Sequence, residues 1–187
     1  MKRLQVMFWP LIPAAAVLIL WIGAGIAYAQ EEEAPEVTRY REDYERFQKI
    51  AAISDPVKRG EQVIQFVKER PNSKLLPNAQ ANLFAILDNF IKTENNQSLL
   101  SLSESYIKVR PKVGETYYCY GFALKNLKRT DEAMDALAKC YVIKNPQSTK
   151  AKDFLDMIYK MQHRGRLAGE EQIISKARQE VEKLQKQ

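Results

Sequence analysis

From Tyr40 to Leu184, apolar side chains recur at steps of three or four residues, the spacing that gathers them on one face of a helix. Tyr40, Tyr44, Phe47 and Ala51 set the first stripe, with Ile50 beside them. Asp55-Pro56 opens a second helix, because Asp can accept from free amides and Pro lacks an N–H that would be unpaired there anyway. Val63, Ile64 and Val67 form its face, and Pro71 stops it. A third helix starts near Asn78, with Leu83, Leu87 and Phe90 on one side and Phe84 and Ile91 adjacent. After the polar break at residues 95–98, Leu99, Leu102, Tyr106 and Val109 mark a fourth, ended by Pro111. A fifth spans residues 115–127. The turn at residues 129–132 offers Thr130 as a cap and Asp131 and Glu132 for the positive end of the next helix. Ala133, Leu137 and Tyr141 open that sixth stripe, which stops by Asn145-Pro146. Ser148 or Thr149 caps a seventh helix carrying Leu155, Ile158 and Tyr159, and Ile174, Ala177, Val181 and Leu184 line a charged eighth. Val142-Ile143 and Tyr117-Tyr118 look strand-like only in isolation. The expected class is all-α, in short helices that need neighbours to cover their apolar faces.

The first 29 residues follow a different rule. Lys2 and Arg3 precede a largely apolar stretch, most uniform at residues 14–21, that closes with Ala27-Tyr28-Ala29 before an acidic run. This is the pattern of a secretory signal cut after Ala29. The stretch is also long enough to cross a bilayer, so an uncleaved membrane anchor is the alternative. Residues 30–37 read as a flexible leader, residues 38–161 as a helical domain and residues 166–187 as a terminal helix. The expected location is periplasmic or secreted. Cleavage removes two of 29 basic residues against 23 acidic ones, leaving a mild net charge of about +4. That balance and export argue against a nucleic-acid partner, and membrane association is expected only through a partner or an uncleaved anchor.

Punctuation reveals a repeat. Three helix pairs end at Pro71, Pro111 and Pro146, a rhythm typical of stacked helix hairpins. Within residues 114–146, Tyr117, Gly121, Leu124, Ala133, Leu137 and Cys140 fall in order. This unit resembles the tetratricopeptide repeat family. Tyr117 matches the large residue opening the first helix, Gly121 the small residue of close approach, and Ala133 the small residue early in the second helix. Tyr120 stands where leucine is usual, Leu124 replaces a common aromatic, Cys140 replaces alanine, and Pro146 falls one residue late. Earlier units match less closely, with Gly60 as the candidate contact glycine. The resemblance implies antiparallel hairpins stacked as a short right-handed solenoid, with the last helix as a cap. It also implies protein or peptide binding on the surface formed by the first helix of each pair.

On that reading Tyr118, Phe122 and Lys125 are the candidate peptide-binding residues, offset from the Tyr117/Gly121/Leu124 packing stripe. Two aromatics and a cation would grip an extended peptide and its carboxylate. The competing reading packs these aromatics against the preceding hairpin. Cys119 and Cys140, the two cysteines of the chain, lie on paired helices; they are a candidate disulfide or two small buried side chains. His163, within His163-Arg164-Gly165-Arg166, sits at a helix break and reads as a solvated turn or a basic contact for phosphate or acidic lipid headgroups. No cofactor, metal or catalytic motif is present, so a non-enzymatic scaffold is expected. Alternatives are self-assembly through the 174–184 stripe, giving a homo-oligomer with a short coiled coil, and a regulatory subunit of an envelope enzyme.

Overall fold

A computed structural model describes residues 34–186, and the export segment and residues 30–33 of the leader lie outside the described residues. The described residues form eight α-helices and no strand: α1 (Pro35–Ala51), α2 (Pro56–Glu69), α3 (Leu76–Lys92), α4 (Asn96–Val109), α5 (Gly114–Asn126), α6 (Thr130–Val142), α7 (Ser148–Gln162) and α8 (Glu170–Gln185). The all-α expectation therefore holds. None of these helices is long and apolar enough to cross a membrane.

Local chemistry sets most boundaries. Asp55 accepts from the amides of Val57 and Lys58 at 2.8 and 3.1 Å, and Asn95 accepts from that of Ser98 at 3.3 Å. Thr130 is not a cap: it is the first residue of α6, and Arg129 before it pairs with Glu132 at 2.6 Å. α1 starts at Pro35, inside the expected leader, where proline's fixed φ suits a first helical turn. Three helix ends use one device. Glu94, Lys128 and Arg164 take left-handed φ values of 54°, 63° and 54°. The next amide then reaches back over the last turn: Asn95 to the Phe90 carbonyl, Arg129 to Leu124 and Gly165 to Lys160, at 2.8–2.9 Å.

Arg39–Gln187 make up one compact unit. Each helix from α2 to α6 packs on its successor, and α2 also meets α4, α3 meets α5, α5 meets α7 and α6 meets α8. The core runs through these layers, with Val63, Phe66, Leu83, Leu87, Leu99, Leu124, Leu137, Leu155 and Ile158 fully enclosed. Two glycines mark the closest approaches. A Cβ on Gly60 would sit 2.5 Å from a Leu102 methyl, and one on Gly121 would sit 2.9 Å from Leu137 Cγ and 3.2 Å from the Ala133 carbonyl.

The first helix departs from its expected stripe. Phe47 packs on Phe66 at 5.8 Å and Ile50 is buried, but Tyr40 and Tyr44 stack on each other in solvent, 44% and 47% exposed. The inward residue beside them is Asp43, which pairs with Arg70 Nε at 3.3 Å. Helical spacing specifies a face; which turns of it are covered depends on where the neighbouring helix lies.

Candidate functional site

On α5, Tyr117, Gly121 and Leu124 point into the core, which turns the next residue in each case toward the edge of that core. Tyr118 and Phe122 are consequently half-buried, and so is Lys125 in the last turn. Tyr118 lines a cleft of about 470 Å³ with Phe84, Asp88 and Ile91 from α3, Glu115 and Cys119 from α5, and Pro146, Gln147 and Lys150 at the start of α7. Phe122 packs on Phe154 of α7 at 6.0 Å. Lys125 lies one turn further on, outside the lining of this cleft. A second hollow of about 420 Å³, lined by Leu76, Pro77, Gln80, Ala81 and Arg110, shares Phe84 with the first.

The two hollows bring α3, α5 and α7 together along a face of partly covered aromatics. Phe84 is steadied from below by Tyr106, edge-on at 6.4 Å and 85°. Asp88, whose carboxylate pairs with Lys92 at 2.6 Å, lines the Tyr118 cleft together with Glu115 and Lys150. Burial pushes the Tyr118 phenol above its usual range, helped by the adjacent Cys119 and Cys140 sulfurs. Its hydroxyl therefore stays a neutral donor and acceptor at ordinary pH. The face can bury apolar side chains and offers both charges at its rim.

Phe84, Ile91 and Phe154 belong to this face but were not among the candidate binding residues read from the sequence, where Phe84 and Ile91 figured only as neighbours of a packing stripe. The signal was available in the doublets Leu83-Phe84, Phe90-Ile91, Tyr117-Tyr118 and Phe154-Leu155. In each, a buried residue has an apolar neighbour about 100° round the helix, and the half-buried member lines the face.

Cys119 and Cys140 are free, buried thiols in the structure. Burial pushes Cys119 up to about 12, and Cys140 up to about 11 despite its hydrogen bond to Asn145. Both are poor nucleophiles at neutral pH, since the thiolate is the reactive form. Asn145 clasps the end of α6: its amide nitrogen donates to the Cys140 carbonyl at 2.7 Å, and its oxygen accepts from the Gln147 amide at 2.8 Å. Among the described residues, no group of three His, Cys, Asp or Glu side chains is arranged to hold a metal ion.

The last helix places Ile174, Ala177 and Val181 inward, each at most 5% exposed, with Leu184 half-buried. α8 packs on α6, and Lys139–Glu180 at 2.6 Å and Lys176–Asp135 at 3.0 Å tie the two together. Comparison of the chain with protein-family models, with curated proteins and with solved structures gives no match.

Proposed function

We propose that this chain is a non-enzymatic, exported scaffold, periplasmic or secreted, that binds a protein or peptide along the face of α3, α5 and α7. The carrying observation is the run of half-buried Phe84, Ile91, Tyr118, Phe122 and Phe154 across three successive odd-numbered helices, with Asp88, Glu115 and Lys150 beside it. In this reading the hairpins α3–α4 and α5–α6 stack as a short right-handed solenoid like that of tetratricopeptide repeats. The packing of successive helices from α2 to α7, and of α2 with α4, α3 with α5 and α5 with α7, supports that arrangement, as do the close approaches at Gly60 and Gly121. α8 acts as the cap. Coverage of Ile174, Ala177 and Val181 by α6 supports capping over self-assembly through the same stripe.

An extended ligand would set apolar side chains into the hollows on either side of Phe84. Rigid aromatics lose little entropy on binding, which is why they dominate such contacts. Peptides selected by display on the folded protein are the direct test. Tyr118→Ala and Phe122→Ala should each weaken the selected peptides by at least about fivefold, and Lys125→Ala should weaken those ending in a carboxylate, while Tyr44→Ala leaves binding intact. Peptides indifferent to Tyr118 and Phe122 would remove the proposed face from consideration.

A further inference from the structure

The segment between α7 and α8 has a character found nowhere else in the described residues. Ten consecutive residues, 160–169, are exposed. They contain Lys160, His163, Arg164 and Arg166, interleaved with Met161 and Leu167, which are 64% and 38% exposed. Met157, four residues before Met161 on the same helical face, is 45% exposed. We propose that this segment docks on an anionic bilayer surface, with Arg164 and Arg166 taking lipid phosphates and Met161 and Leu167 entering the headgroup boundary.

The segment is held in place although it is exposed. The Tyr159 hydroxyl donates to the Ala168 carbonyl at 2.8 Å, and the His163 ring stacks on Tyr159 at 3.9 Å. The Gly165 amide donates to the Lys160 carbonyl at 2.8 Å, and the Arg166 amide to that of His163 at 3.1 Å. Gly169, at φ 100°, passes so near Tyr159 that a Cβ would lie 2.6 Å from its hydroxyl. The loop is thus clamped at both ends to one tyrosine, and its cations project from a fixed backbone.

Those cations are available. Arg164 and Arg166 take part in none of the ion pairs among the described residues. Of the carboxylates in the neighbouring turns, Asp156 and Glu170 share Lys152, and Asp131 accepts from Gln162 at 3.5 Å at the edge of the loop. Gln162, His163, Arg164, Arg166 and Ala168 surround a shallow hollow of about 360 Å³, wide enough for a phosphate group. Guanidinium groups suit phosphate because they donate in a planar fork. An acidic polypeptide would satisfy the arginines but leave Met161 and Leu167 in water. A lipid surface satisfies both, since apolar tips gain by leaving water while basic side chains stay at headgroup level. The net positive charge, +6 for the full chain and about +4 once the two basic residues of the export segment are removed, favours approach to the same surface.

A local reporter tests the proposal, because the apolar segment at residues 4–27 would bring the full chain to any vesicle. An environment-sensitive fluorophore is placed on Leu167→Cys; the two native thiols are buried and react slowly. Emission should shift to the blue with vesicles containing phosphatidylglycerol and stay unchanged with phosphatidylcholine alone. Arg164→Gln with Arg166→Gln should weaken that response about 30-fold, and raised salt should weaken it further. Both positions are exposed, so circular dichroism should confirm an unaltered fold. Unmoved emission on anionic vesicles that carry the protein would overturn the proposal. So would an equal shift on neutral vesicles, a response indifferent to the two arginines, or a shift produced by soluble polyglutamate and not by vesicles.

Discussion

The α5–α6 hairpin and the docking of α8 solve one problem in two ways. The hairpin joins its helices by close apolar approach: Gly121 lets Leu137 and the Ala133 backbone come within contact of α5, and Leu124, Leu137 and Cys140 are fully enclosed. α8 is mostly polar and presents only Ile174, Ala177 and Val181 as buried apolar contacts. Polar links complete its attachment, with Lys139–Glu180 and Lys176–Asp135 along its length and Lys152–Glu170, at 3.2 Å, at its start. Burial in the hairpin is insensitive to pH and salt, whereas part of the hold on α8 is electrostatic. The hairpin should therefore behave as the rigid centre and α8 as the adjustable end.

The largest blow to that contrast should come from Leu137→Ala, which empties a fully buried site under Gly121 and should cost about 3 kcal/mol in denaturant unfolding. A loss below about 1 kcal/mol would mean the hairpin is not the packing centre. Ile174→Ala should cost about 2 kcal/mol, and its effect should be local. Hydrogen exchange should quicken in α8 while α5 keeps its protection. Equal loosening of both would show that α8 is integral to the core and is no separable end.

The smallest effect concerns pH. Glu180 is held below the usual carboxylate range, chiefly by its hydrogen bond from Lys139. Glu170 is pushed above that range, chiefly by burial and then by Asp156, with Lys152 opposing. A depressed carboxyl lends stability above its unfolded pKa and loses it as pH falls through the folded value. A raised one withdraws stability as pH climbs from the unfolded pKa toward the folded value. The two ends of α8 thus respond to acid in opposite directions. Glu170→Gln should add roughly 0.5 kcal/mol at pH 7, an advantage that shrinks toward about pH 4 as Glu170 takes up a proton. Thermal melts at the two pH values measure this, and a destabilised variant at pH 7 would show that the charge of Glu170 is needed to hold Lys152.

The contrast also explains what could be read in advance. The hairpin was legible because its apolar stripes are written locally at helical spacing, while the close approach at Gly121 was expected from the family resemblance. Helix punctuation by Asp55, Asn95 and the prolines was legible for the same reason. The buried acids Asp43 and Glu170 were not, because a carboxylate is admitted only where Arg70 or Lys152 arrives from another helix. Tyr40 and Tyr44 looked like core because spacing identifies a face without identifying its cover. The left-handed helix ends at Glu94, Lys128 and Arg164 escaped notice because glycine is the usual sign of that turn. Tyr118 and Phe122 were put forward through a family resemblance, while placing Phe84, Ile91 and Phe154 beside them required the packing of α3 and α7 against α5.

The scaffold reading requires that the face of α3, α5 and α7 receive an extended ligand. Hydrogen–deuterium exchange of the chain with and without a display-selected peptide tests it most directly. Added peptide should slow exchange at the hollows, on α3 around Phe84 to Ile91, on α5 around Tyr118 to Phe122 and on the first turns of α7, and leave α2, α4 and α8 unchanged. Protection confined to α8 or to the α7–α8 segment, with α5 unaffected, would contradict it.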